Sequence, residues 1–133
     1  MKKALVVDDS KTARLILKKK LEHFQIAVDL AESGEEALEY LKQQSPDIIF
    51  MDVMMEGMNG YETTLAISRN PRSATIPVIM CTSKDTHEDR LEAKKNGAHG
   101  YLVKPIDDEK FSLALQELQR SAVAAINKQK PLF

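Results

Sequence analysis

The sequence predicts an α/β fold in which five parallel strands alternate with five helices around one doubly wound sheet. Short apolar segments alternate along the chain with longer segments whose apolar residues recur at helical spacing, which is typical of a parallel sheet with helices on both faces. The apolar segments also end in polar residues, as buried strands do where they emerge at one edge of a sheet. For five strands the common order is 2-1-3-4-5, with the switch point between the first and third strands.

Capping and turn residues mark the ends of the predicted elements. Asp9 or Ser10 can cap the first helix. Asp85 or Thr86 can cap the fourth helix, and Asp107 caps the last. The predicted strands are residues 4–7, 26–30, 48–51, 77–81 and 100–103, and the helices that follow the second to fifth strands end near residues 44, 69, 96 and 126.

Helical spacing also predicts which side of each helix faces the sheet. The second helix opens at Ser33 and Glu36, which have the spacing of a capping box. The predicted buried faces are Ala13, Ile16, Leu17, Leu21 and Phe24 in the first helix, Ala37, Leu38 and Leu41 in the second, Met58, Tyr61 and Leu65 in the third, and Phe111, Ala114, Leu115, Leu118, Ala122 and Ile126 in the last.

Length and composition indicate one domain, residues 1–126, followed by a short C-terminal tail at 127–133. The 19 basic and 20 acidic residues leave a net charge of −1, so we expect no basic surface for nucleic acid or anionic lipid. No apolar segment reaches membrane-spanning length, and Lys2-Lys3 precedes too few apolar residues for a signal peptide. We therefore expect a cytoplasmic protein.

Polar side chains follow four of the predicted strands at the point where each strand ends. Asp52 follows the third strand, and Asp8 and Asp9 follow the first. Thr82 and Lys104 come directly after the fourth and fifth strands. Each residue taken alone is as readily explained as a helix cap or a solvent-exposed loop residue. Because the carboxyl ends of parallel strands meet at one edge of the sheet, their joint placement predicts a shared site.

The residue types at these strand ends are those of a site for phosphoryl transfer. Asp8, Asp9 and Asp52 offer oxygen ligands only, with no His or Cys nearby, and such a donor set suits Mg²⁺. Lys104 supplies a positive charge and Thr82 a hydroxyl donor for an anion. The Asp52 carboxylate can then act as a nucleophile and form an acyl phosphate.

Several motifs occur together in this chain and cover roughly residues 3–120. They are Val6-Val7-Asp8-Asp9-Ser10, Asp52 with Met55, Met58 and Gly60 after it, Thr82-Ser83, and Gly100-Tyr101-Leu102-Val103-Lys104-Pro105. In combination they resemble response-regulator receiver domains of two-component signalling, the CheY type, which implies a flavodoxin-like sheet. The chain departs from the family at Glu56, where the family usually has proline.

The resemblance implies a role for each residue at the site. Asp52 would be the phosphoacceptor, Asp9 would bind Mg²⁺ directly, and Asp8 would bind it largely through water. The Met54 backbone carbonyl would complete the protein ligands, and Lys104 would pair with the phosphoryl group.

The resemblance also implies a switch. Thr82 and Tyr101 would be the switch pair, and the bond between Lys104 and Pro105 would be cis. Tyr101 lies three residues before Lys104, so the two side chains are expected on opposite sides of the strand. Phosphorylation would change the surface formed by the fourth helix, the fifth strand and the fifth helix.

The function that follows is that of a stand-alone response regulator, not an enzyme, with only self-phosphorylation and self-dephosphorylation chemistry of its own. A histidine kinase or phosphotransfer protein would donate the phosphoryl group, a separate output protein would bind the switched surface, and the chain would be a monomer or a weak phosphorylation-dependent dimer. A chemotaxis-like or pilus-type pathway, or a phosphate shuttle or sink in a phosphorelay, is equally compatible with the sequence.

Two other classes of protein fit the sequence poorly. An Asp-nucleophile phosphatase of the haloacid dehalogenase type needs a second Asp two residues after the first, where this chain has Met54. A nucleotide or flavin binder needs a glycine-rich loop after the first strand, where this chain has Asp8-Asp9-Ser10.

Overall fold

The computed structural model describes the backbone of residues 1–129 and the side chains of residues 1–120. The strands are β1 (Lys3–Val7), β2 (Ala27–Ala31), β3 (Ile48–Asp52), β4 (Val78–Thr82) and β5 (Gly100–Val103). The helices are α1 (Lys11–His23), α2 (Gly34–Leu41), α3 (Gly60–Arg69), α4 (His87–Lys95) and α5 (Asp108–Gln129). Within residues 1–129, no helix combines the length and the apolar character that crossing a bilayer requires.

The strands form one parallel sheet in the order β2-β1-β3-β4-β5, which confirms the predicted fold class. The strand order reverses between β1 and β3, so a crevice opens at the carboxyl ends of these two strands. Val7 pairs with Met51 in the register, and Asp8 and Asp52 therefore leave the sheet at the same level. Asp52 in turn pairs with Cys81, which brings Thr82 one residue beyond it.

Apolar side chains cover both faces of the sheet, as the continuous apolar segments predicted. One cluster lies under α2, α3 and α4 and contains Leu5, Val7, Ile49, Met51, Val78 and Met80 together with Ala37, Leu41, Ile67 and Ala93 of the helices. The other lies under α1 and α5 and contains Ala4, Val6, Ile48, Phe50, Ile79, Cys81 and Leu102 together with Leu17, Leu21, Phe111 and Leu115. This double packing fixes the strand ends that carry the polar residues.

Side-chain caps begin the helices at the predicted positions. Of the alternatives left open by the sequence, Ser10 caps α1 in place of Asp9, and Thr86 caps α4 in place of Asp85. The carboxylate of Asp107 accepts hydrogen bonds from the first N–H groups of α5, as predicted. Since Ser10 satisfies the start of α1, the Asp9 carboxylate is not needed as a cap.

The buried face of α1 differs from the prediction. Ile16 and Phe24 are 51% and 43% exposed, whereas Arg14 is buried. Arg14 faces inward because its guanidinium donates a hydrogen bond to the Asp8 carbonyl. The hydrophobic spacing alone could not indicate this contact, since it treats every charged residue as external.

The buried face of α3 was also predicted wrongly. Met58, Tyr61 and Leu65 are only partly buried, and the buried residues are Gly60, Thr63, Thr64 and Ile67. The reason is the close approach of Gly60 to β3, where an added Cβ would lie 2.1 Å from the Asp52 carbonyl oxygen. Positions three, four and seven residues after Gly60 share its face of the helix and therefore turn inward with it.

Two helix ends lie at other residues than predicted. Helix α2 ends at Leu41 and not at Gln44, because residues 42 and 43 form tighter turns in which each N–H bonds to the carbonyl three residues before. Helix α5 continues to Gln129, three residues past the predicted end at residue 126. The side chains of Ala122 and Ile126 and the end of the predicted tail, residues 130–133, lie outside the described residues.

Candidate functional site

The carboxylates of Asp8, Asp9 and Asp52 converge at the carboxyl ends of β1 and β3. One oxygen from each lies within 4.8 Å of the other two. Asp8 and Asp52 are buried, with 1% and 7% of their surface exposed, whereas Asp9 is exposed to solvent. A set of oxygen donors of this kind, with one member open to solvent, fits a hard divalent cation such as Mg²⁺.

The turn between β1 and α1 holds Asp8 in one orientation. Its Oδ1 accepts a hydrogen bond from the Ser10 N–H at 2.9 Å, and its carbonyl accepts one from the Arg14 guanidinium at 2.7 Å. Arg14 also lies 3.6 Å from the Glu32 carboxylate. The Asp8 backbone is therefore fixed from α1 by a buried cation, and Asp9 is directed outward.

Lys104 reaches the cluster from the end of β5. Its Nζ lies 2.7 Å from Asp8 Oδ2 and 3.4 Å from Asp52 Oδ1. Its backbone N–H donates to the Thr82 carbonyl at 2.8 Å, which extends the pairing of β4 and β5 by one residue. The bond between Lys104 and Pro105 is cis, as the resemblance implied. One ammonium is thus shared by two carboxylates.

Burial and charge shift the pKa values of this cluster. The pKa of the Asp52 carboxyl is raised to about 6, mainly by burial and next by the negative charge of Asp8, with Lys104 opposing both effects. Burial by itself lowers the pKa of Lys104, but the hydrogen bond to Asp8 and the charge of Asp52 outweigh it, so the net pKa is raised. Lys104 therefore carries its charge at neutral pH, and the site attracts further cations.

The backbone of Lys84 links Thr82 to Tyr101. The Thr82 side chain is buried, and its Oγ1 accepts a hydrogen bond from the Lys84 N–H at 3.2 Å. The Tyr101 hydroxyl donates to the Lys84 carbonyl at 2.8 Å, and the Arg90 guanidinium lies 4.8 Å from the centre of the Tyr101 ring. The ring packs against the cluster under α2, α3 and α4, on the opposite face of the sheet from Leu102.

The loop from residue 53 to residue 59 follows Asp52 and carries Met54. Gly60 N–H donates to the Val53 carbonyl at 2.9 Å and closes this loop. The side chain of Met54 is 59% exposed, two residues after Asp52. The role of its backbone carbonyl as a metal ligand stays a prediction.

Two residues that contact the site were not among the predicted site residues. Arg14 holds the Asp8 carbonyl, and Glu35 of α2 accepts a hydrogen bond from the Met58 N–H at 2.8 Å. Helical spacing gives no signal for Arg14, because it treats a charged residue as external. Glu35 carries no signal either, because glutamate is common in the first turn of any helix.

Comparison with known proteins identifies relatives, two of which have nearly the same length as this chain. Protein PilH of Pseudomonas aeruginosa is 38% identical over 109 residues, which cover 82% of this chain and 90% of PilH. Chemotaxis protein CheY of Halobacterium salinarum is 40% identical over 118 residues, which cover 88% of this chain and 96% of that protein. Response regulator PleD of Caulobacter vibrioides is 36% identical over 116 residues, and there the chain spans only 26% of the relative.

Solved structures and a family match agree with these relatives. The chemotaxis response regulator CheY4 of Vibrio cholerae has a TM-score of 0.82 at 34% identity, covering 89% of this chain and 98% of that one. The response regulator receiver domain family matches residues 4–116, which are most of the chain. The chain therefore belongs to the family of response regulator receiver domains.

Proposed function

We propose that the chain acts as a stand-alone response regulator, in which Asp52 accepts a phosphoryl group and the altered surface binds a separate output protein in the cytoplasm. The observation that carries this proposal is the meeting of three carboxylates with the Lys104 ammonium at one edge of the sheet. Membership of the receiver family supports it, as does the similarity over nearly the whole length of PilH and CheY.

In the proposed reaction, a carboxylate oxygen of Asp52 attacks the phosphorus of a phosphohistidine on a histidine kinase or phosphotransfer protein. A bond forms between phosphorus and the Asp52 oxygen, and the bond from phosphorus to the imidazole nitrogen breaks. The electron pair leaves with the imidazole, which takes up a proton from solvent. Lys104, 3.4 Å from Asp52 Oδ1, is placed to pair with the oxygens of the transferred group.

Asp8, Asp9, Asp52 and the Met54 carbonyl would hold Mg²⁺, which when bound supplies positive charge beside the phosphoryl oxygens. Asp8 is already engaged by Ser10 and Lys104, whereas the Asp9 carboxylate is exposed. This difference supports direct coordination by Asp9 and coordination largely through water by Asp8. The donors are all oxygen atoms, as Mg²⁺ prefers.

The switch would use the backbone of Lys84. A phosphoryl oxygen on Asp52 can accept a hydrogen bond from the Thr82 hydroxyl, which at present accepts from the Lys84 N–H. A displaced Thr82 would alter the position of Lys84, and the carbonyl of Lys84 is the hydrogen-bond partner of Tyr101. The populations of Tyr101 rotamers would shift, and the surface of α4, β5 and α5 would change with them.

Intact mass after incubation with acetyl phosphate and Mg²⁺ tests the proposed function. The chain should gain one phosphoryl group that hydroxylamine removes, and neither Asp52→Asn nor the wild type in EDTA should gain it. Asp47→Asn is a matched control, because this carboxylate lies at the opposite end of β3, where it accepts hydrogen bonds from Lys2 and Lys3. Stoichiometric uptake by Asp52→Asn would reject the assignment of the phosphoacceptor.

A further inference from the structure

We propose that Glu35 is a positioning residue that holds the loop of residues 53–59 in the form that phosphorylation of Asp52 requires. The role of Glu35 rests on the proposed function, since it concerns the loop that would carry the metal-binding carbonyl of Met54. Glu35 lies 23 positions before its partner Met58 in the sequence and belongs to a different element of the fold. Its contact with the loop is therefore a tertiary one.

The Glu35 carboxylate lies directly against the loop backbone. One of its oxygens accepts a hydrogen bond from the Met58 N–H at 2.8 Å. A Cβ added at Gly57 would lie 3.0 Å from both carboxylate oxygens, so the whole carboxylate packs on residues 57 and 58. Gly57 has a φ of +75°, a conformation that residues with a Cβ adopt at a cost. The turn at Gly57 is thus what presents the Met58 N–H to Glu35.

Among the described residues, few hydrogen bonds hold the backbone of the loop. The bond from Gly60 to Val53 closes its ends. In the part of the chain that the structure describes, the bond to Glu35 is the one hydrogen bond that fixes a backbone N–H of residues 54–58. Residue 56 is a glutamate, so no proline restricts φ in the middle of the loop. Met55 adds an apolar contact with the core, and Glu35 supplies the hydrogen bond that fixes the backbone of this part of the loop.

Helix α2 is a firm anchor for this contact. The Ser33 hydroxyl accepts a hydrogen bond from the Glu36 N–H at 3.0 Å and fixes the first turn. A Cβ added at Gly34 would lie 2.1 Å from Thr63 Oγ1, so the starts of α2 and α3 are in close contact. Because α2 is also tied to the core, Glu35 connects the loop to a rigid part of the fold.

A carboxylate in the first turn of a helix also stabilises the helix itself, whatever it contacts. Glu36 provides the matched control, because it lies in the same turn of α2, carries the same charge and is exposed. Glu36→Ala removes the helix effect alone, whereas Glu35→Ala removes the helix effect and the contact with Met58. Glu35→Gln keeps an oxygen that can accept the hydrogen bond and removes only the charge.

The three variants should be compared with the wild type by the amide NMR signal of Met58, by calorimetric titration of Mg²⁺ alone, and by the initial rate of phosphorylation with acetyl phosphate. In Glu35→Ala the Met58 amide should shift upfield and exchange faster. Mg²⁺ affinity and phosphorylation rate should fall about threefold to tenfold, as expected for the loss of one such hydrogen bond. Glu35→Gln should recover most of this loss, and Glu36→Ala should match the wild type.

Equal behaviour of Glu35→Ala and Glu36→Ala in all three measurements would overturn the role of Glu35. So would a Glu35→Gln variant that is as impaired as Glu35→Ala, because the accepting oxygen would then be irrelevant. These outcomes differ from a failure of the proposed function, in which the wild type itself takes up no phosphoryl group. In that case the Met58 amide signal still reports whether Glu35 holds the loop.

Discussion

Asparagine at position 52 should make the metal-free protein more stable at neutral pH. The pKa of Asp52 is raised from 3.8 to about 6, mainly by burial and next by the charge of Asp8. The folded protein thus binds this proton more tightly than the unfolded chain does, so stability is lost as the pH rises from 3.8 through about 6. A rise in pKa from 3.8 to about 6 corresponds to a loss of about 3 kcal/mol of stability at pH 7. Asparagine keeps the shape of the side chain and carries no charge.

Urea unfolding in EDTA measures this effect. Asp52→Asn should raise the free energy of unfolding by about 3 kcal/mol at pH 7, but by only about 1 kcal/mol at pH 4.5, where the wild-type carboxyl is protonated in the folded protein. Asp47→Asn should instead lower the free energy of unfolding at pH 7. Burial raises the pKa of Asp47, but hydrogen bonds from Lys2 and Lys3 outweigh burial and lower it, so this carboxylate is stabilising when ionised. A less stable Asp52→Asn at pH 7, or the same difference at both pH values, would refute the reasoning.

Four further substitutions test the roles of individual residues. Asp9→Ala should weaken Mg²⁺ binding more than Asp8→Ala does. For Asp8→Ala we expect a loss of affinity of roughly tenfold, because Asp8 would bind the ion largely through water. Equal losses of affinity in calorimetry would contradict these different roles of Asp8 and Asp9. Lys104→Ala should still take up a phosphoryl group from acetyl phosphate, but NMR shifts on phosphorylation should no longer spread to α4 and β5; shifts of wild-type extent would count against its role in coupling. Tyr101→Ala should likewise keep phosphorylation of Asp52 and lose the response of residues 86–106. A response confined to the loops around Asp8, Asp52 and Lys104 in the wild type would leave a phosphate carrier without an output surface.

The positions of the site residues could be predicted because they depend on topology alone. A residue that follows a buried parallel strand lies at the carboxyl edge of the sheet, and the strand order then decides which residues meet. Asp8 and Asp52 lie side by side at this edge of the sheet because β1 and β3 are neighbouring strands, in which Val7 pairs with Met51. This inference needs no knowledge of side-chain packing, and the structure brings Asp8, Asp9, Asp52 and Lys104 together for that reason.

The contacts that hold the site in shape could not be predicted in the same way. Arg14 is buried by a single hydrogen bond to a carbonyl, which helical spacing cannot anticipate. The inward face of α3 is set by the approach of Gly60 to β3 and not by its apolar residues. Glu35 and Met58 meet only because α2 and α3 pack side by side. Each of these contacts depends on the tertiary position of a helix, for which the local sequence holds no signal.

Lys104 connects the electrostatics of the cluster with its proposed output. Its ammonium is shared between Asp8 at 2.7 Å and Asp52 at 3.4 Å. A phosphoryl group on Asp52 would bring about −1.5 to −2 charges and compete with Asp8 for the same ammonium. Because the backbone N–H of Lys104 is bonded to the Thr82 carbonyl at 2.8 Å, a shift of Lys104 toward Asp52 would act on the end of β4 as well as on β5. Thr82 would then be drawn toward the phosphoryl group by its own hydroxyl and by its backbone partner together. Loss of Lys104 should therefore impair the response of the surface more than the phosphorylation of Asp52.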